Sequence, residues 1–122
     1  MKKRILTLFM VTILFSCSTN DTSHITIAEN FTENYAKGKI SEAKKYATES
    51  TGKLIDLAIS RKGHNASPNF EFVFLRDSIS KNNAWVKFTG INDSIHSEEL
   101  HLIKVDGQWL VNLNPKQKKV FK

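Results

Sequence analysis

Apolar positions along this chain change period once, and the change separates a helical half from a stranded half. Ile27, Ala28, Phe31 and Tyr35 recur at offsets of one, four and eight, the face of a helix predicted over residues 24–37. Thr26 and Glu29 have capping-box spacing, with Ser23 as an alternative start, and Gly38 is free to take the left-handed cap. Ile40, Ala43 and Ala47 predict a short second helix over 40–47. A third, over 51–61, carries Leu54, Ile55, Leu57, Ala58 and Ile59 across a broad arc, with Asp56 nearly opposite its centre. From residue 69 the period falls to two. Phe70, Phe72 and Phe74 share one face of a strand over 69–79, with Glu71, Val73 and Leu75 on the other. Turns at Lys81-Asn82-Asn83 and Asn92-Asp93-Ser94 bound a second strand, 84–91, and a third covers 96–105. Asp106-Gly107 is a two-residue hairpin signal. The fourth strand, Gln108 to Asn114, sets Trp109, Val111 and Leu113 on one face before Pro115 ends it. Helices followed by an antiparallel meander predict an α+β domain over 24–115, the helices covering the aromatic face of the sheet. The second face is also partly apolar, so sheet curvature or the partner in a homodimer is expected to cover it.

A different pattern precedes this domain. Lys2, Lys3 and Arg4 lead into a run from Ile5 to Phe15 that is apolar apart from Thr7 and Thr12. As a helix it would reach roughly 17 Å, against about 30 Å of hydrocarbon, so it suits a signal peptide better than a membrane span. Leu14-Phe15-Ser16-Cys17 resembles the bacterial lipobox, although Phe15 is larger than the residue usual at its position. The resemblance implies removal of residues 1–16 and acylation of Cys17. Residues 17–23 then form a lipidated tether, polar and without apolar period. Ser18 after the cysteine, by analogy, does not suggest inner-membrane retention, so the expected address is the cell envelope at the outer membrane. Cys17 is also the sole cysteine, which excludes an internal disulfide and any cysteine-based zinc site.

Charge changes little. Of 18 basic residues three lie in the leader, leaving 15 against 12 acidic, too weak an excess to argue for nucleic acid. The tail, 116–122, gathers Lys116, Lys118, Lys119 and Lys122 and reads as solvated.

The helical half contains Phe31 and Tyr35, then Lys37-Gly38-Lys39-Ile40, then Ala43-Lys44-Lys45-Tyr46-Ala47-Thr48; the chain's last hairpin is Val105-Asp106-Gly107-Gln108-Trp109-Leu110-Val111. Over residues 24–114 these segments resemble bacterial lipoprotein domains of unknown function in the nuclear transport factor 2-like, cystatin-like superfamily. What the resemblance implies is a set of helices lying across a curved four-stranded sheet, with a cone-shaped pocket between them. A lumazine-binding label carried by some relatives does not transfer.

Candidate chemistry is sparse. A catalytic cone needs a carboxylate or an Asp–His pair held in apolar surroundings. Asp56 is expected to face solvent, and Asp77, Asp93 and Asp106 are expected to serve local hydrogen bonds in or near turns. Glu71 should leave the phenylalanine face. His24, His64, His96 and His101 show no metal-ligand spacing, and His96 and His101, five apart, fall on opposite faces of a strand. No nucleophile elbow or phosphate-cradling glycine loop is present, and no cofactor is expected. The expected pocket residues are Phe31, Tyr35, Phe72, Trp85, His101 and Trp109, although the aromatic side chains read first as core. The sequence thus points to a membrane-tethered, non-catalytic module that binds a small molecule or another envelope protein. A small hydrolase or isomerase using the same cone is the rival. A cystatin-type inhibitor ranks last, since the Gln-x-Val-x-Gly loop is missing.

Overall fold

The computed structural model describes residues 22–91 and 93–113; the leader, Cys17 with most of its tether, and the basic tail lie outside the described residues. Helix α1 spans His24–Ala36. Its start is Ser23, whose Oγ accepts a hydrogen bond from the Thr26 amide at 3.1 Å, so the earlier of the two caps is the one used. Its end is a Schellman turn: Lys39 N–H donates to the Asn34 carbonyl and Gly38 N–H to that of Tyr35, with Gly38 at φ +86°. Helix α2 is shorter than its apolar spacing predicts, Ile40–Lys44. Helix α3, Glu49–Lys62, starts two residues early because Thr48 caps it through the Thr51 amide at 3.2 Å.

Four strands follow, β1 Phe72–Ser80, β2 Asn83–Gly90, β3 Asp93–Val105 and β4 Gln108–Val111, hydrogen-bonded in chain order as an antiparallel meander. The expected α+β arrangement is the observed one. Asp106 (φ 52°) and Gly107 (φ 79°) both take the left-handed conformation that a two-residue hairpin needs. Helix α1 crosses the sheet and touches all four strands. The core lies between them, formed by Ile27, Ala28 and Phe31 of α1 against Val86, Phe88, Leu100, Leu102, Trp109 and Val111.

Two departures from the periodic reading have clear causes. The second helix stops at Lys44 because residues 46–48 turn to run along the free edge of β4. Val111 N–H donates to the Tyr46 carbonyl and Thr48 N–H to that of Val111, both at 2.9 Å. A backbone group paired there satisfies a strand edge as well as a helix turn would satisfy itself. Helix α3 in turn rests chiefly against α2 rather than across the sheet. Only Ile55 of its predicted arc is buried and Ile59 half-buried, while Leu54 and Leu57 stay exposed; Asp56 faces outward and pairs with Lys44 at 2.8 Å.

The α3–β4 junction is locked by Thr51, fully buried, whose Oγ1 accepts a hydrogen bond from the Leu113 amide at 2.9 Å. Thr51→Val keeps the shape and strands that amide. It is expected to lower stability by about 1–3 kcal/mol, read from denaturant unfolding of the two proteins; an unchanged midpoint would show that the amide finds water instead.

Strand β1 carries a bulge between Phe74 and Arg76 that inserts Leu75. Before it Phe72 and Phe74 lie on the helix side. After it the parity flips, so Asp77, paired with Val86, continues that side in place of Arg76. Asp77 therefore does not serve a local turn as expected: its Oδ2 lies 2.6 Å from Nε2 of His24, the first residue of α1.

Candidate functional site

Where the last turns of α1 rise from the sheet, a cleft of about 600 Å³ opens between the helix, the loop 65–70 and the far end of β2 and β3. Helical spacing places its first wall. Ala28 and Phe31 anchor α1 in the core, and the same face one turn on presents Thr32, Tyr35 and Ala36 to the cleft. The loop is tied to the helix by Ser67 N–H donating to the Ala36 carbonyl at 2.7 Å, and the entry to β1 by Phe72 N–H donating to the Glu33 carboxylate at 3.0 Å. Phe70 and Phe88 form an apolar floor. Gly90 makes this possible, since a Cβ there would lie 3.0 Å from the Phe70 ring. Strand parity supplies the opposite wall: Glu98 pairs with Phe88, so it shares the helix-facing side with Leu100 and Leu102, and His96 lies two residues back along it.

Two polar atoms around the cleft are unusual. Thr32 is 8% exposed and its Oγ1 has no hydrogen-bond partner. A helical threonine ordinarily bonds back to a carbonyl one turn earlier, so an orphaned hydroxyl is a cost unless something in the cleft meets it. His64 stands behind the wall, its ring tilted against Tyr35 at 4.7 Å and its Nε2 buried without a partner.

The six residues that the sequence suggested for a pocket are spread over three places. Tyr35 lines the cleft. Phe31 is buried in the core beneath Tyr35, and Phe72 stacks on Phe88 of the floor at 5.0 Å. Trp109 sits at the other end of α1, 5.7 Å from the His24 ring and under Lys104. Trp85 and His101 pair across β2 and β3 on the sheet face away from α1, their rings stacked at 5.1 Å. His101 is bound there to Asn83 at 2.9 Å. Burial pushes its pKa below the ordinary histidine value, and interaction with the Asn112 backbone offsets this only in part. Thr32, Phe70, Phe88, His96 and Glu98 also line the cleft, and none was among the six. Period two read backwards from Leu102 and Leu100 gives Glu98 and then His96, so that signal was present in the sequence.

Among the described residues no group of three histidine, cysteine or acidic side chains is placed to hold a metal ion, and no helix is long and apolar enough to cross a membrane. No family model matches the sequence, nor does any curated protein. A crystal structure at 2.00 Å from Campylobacter jejuni, of a protein named as a candidate NTF2-like transpeptidase, is similar in fold. It aligns with a TM-score of 0.58 at 19% identity, covering 76% of this chain and 100% of the other. The fold is nuclear transport factor 2-like. At this identity the likeness concerns architecture alone. In this chain the space between helix and sheet is open at the cleft under Tyr35.

Proposed function

We propose that this protein is a lipid-anchored envelope lipoprotein whose domain holds a small molecule in the cleft without transforming it. The observation that carries the reading is the open, partly aromatic cleft itself, with Tyr35, Phe70 and Phe88 on its walls and the buried, unpartnered Thr32 hydroxyl just inside one of them. Core threonines rarely go unpaired. The cleft volume of about 600 Å³ falls within the usual range for small-molecule sites. The lipobox-like Leu14-Phe15-Ser16-Cys17 supports anchoring at the outer membrane. The same compartment supports a second reading, a small hydrolase or isomerase, because Glu98 and His96 are both proton-transfer groups on its wall. Both are exposed, however, and proton transfer gains most where water is excluded. The transpeptidase named for the Campylobacter protein would fall under this second reading.

The test is native mass spectrometry of the protein purified from its own membranes, beside an Ala36→Trp variant that fills the cleft. A bound small-molecule mass on the first and not on the second is expected. If both fly empty, and neither takes up an apolar dye, the binding reading fails.

A further inference from the structure

We infer that the cleft selects a small organic ammonium with an apolar body. This rests on the binding reading above and adds the charge of the ligand. The chain carries 18 lysines and arginines against 12 acidic residues, yet among the described residues no lysine or arginine lines the cleft. The carboxylate among the described lining residues is Glu98, which enters no ion pair among them. That carboxylate stands across the strand pair from Phe88, where paired side chains on one face are neighbours. The Phe70 ring covers Gly90, two residues on from Phe88, and Tyr35 faces them from the helix. Three aromatic rings beside one free carboxylate form the kind of surface that attracts a cation through both ring quadrupole and charge. Thr32 Oγ1, buried and unpartnered in the cleft wall, becomes an acceptor for one ammonium hydrogen when its side chain turns toward the cleft. An anionic ligand would meet Glu98 with His96 beside it but no lysine or arginine among the described lining residues to offset the carboxylate. A neutral ligand would leave that carboxylate unused.

The probes are 2-phenylethylammonium, 2-phenylethanol and 3-phenylpropionate, three molecules of similar shape and different charge. Binding is followed on the intact purified protein by chemical-shift perturbation at Thr32, Tyr35 and Gly90. The ammonium is expected to bind about tenfold more tightly than the alcohol, and the acid more weakly than either. Glu98→Gln, on an exposed side chain, is expected to erase the difference between ammonium and alcohol. Thr32→Val should weaken the ammonium several-fold with the Glu98 preference retained. Equal or tighter binding of the alcohol or the acid overturns the ammonium selectivity and leaves the binding reading standing. If none of the three perturbs the cleft at millimolar concentration, the ammonium inference falls, while the binding reading is decided by the native mass spectrum.

Discussion

Leu102→Ala is expected to cost about 2–5 kcal/mol, a large loss for a single truncation in this domain. Leu102 is fully buried, pairs with Ala84 on one side and Val111 on the other, and lies on the sheet face covered by α1. Three rigid elements therefore surround the removed atoms, and none of them can close the cavity without breaking strand pairing. A domain of roughly 90 residues has a total stability of about 5–14 kcal/mol, so the substitution removes a large fraction of it. At roughly 4–8 °C per kcal/mol for a domain of this size, the thermal midpoint should fall by more than about 8 °C, followed by circular dichroism. Ile103→Ala is the control. Ile103 is half-buried on the opposite face, and its truncation should cost distinctly less. Equal losses at the two positions would contradict the placement of the core on the helix side.

The second large effect concerns location. Cys17→Ala is expected to abolish labelling by an alkyne palmitate completely and to change how the protein fractionates. The reasoning is additive hydrocarbon burial. Each buried methylene contributes about 0.8 kcal/mol, a single chain holds a protein only marginally, and two or more chains hold it stably. No helix among the described residues is long and apolar enough to cross the bilayer. An unlabelled wild-type protein, with fractionation indifferent to the substitution, would remove the proposed anchor and leave the domain reading intact.

Features set by a few neighbouring residues were legible in the sequence. The Gly38 cap, the Asp106-Gly107 hairpin and the burial of Trp109 with Val111 each depend on one or two residues of local chemistry. What escaped was non-local. Residues 46–48 leave the helical pattern because β4, more than sixty positions on, offers them backbone partners. The arc on α3 was read too wide because periodicity says which side chains share a face, not how much surface the fold provides to cover them. The bulge at Leu75 has no sequence mark, and without it Asp77 falls on the wrong side of the sheet for His24. Trp85 and His101 were grouped with the pocket by residue type, whereas their parity with Ala84, Val86 and Leu102 already put them on the other face. Glu98 was the reverse case, marked by parity and passed over because the eye follows apolar residues.

The sheet is protected unequally. Residues 46–48 occupy the outer edge of β4, whereas β1 has no neighbour beyond it among the described residues and carries exposed Phe74, Leu75 and Ile79. Growth of a fibril by strand addition needs two unsatisfied rims per molecule, one to receive and one to extend. With the β1 rim the more open of the two, molecules meeting there would join rim to rim about a twofold axis, and that union would occupy the rim on both. Self-association through that rim would accordingly favour a pair over a growing stack.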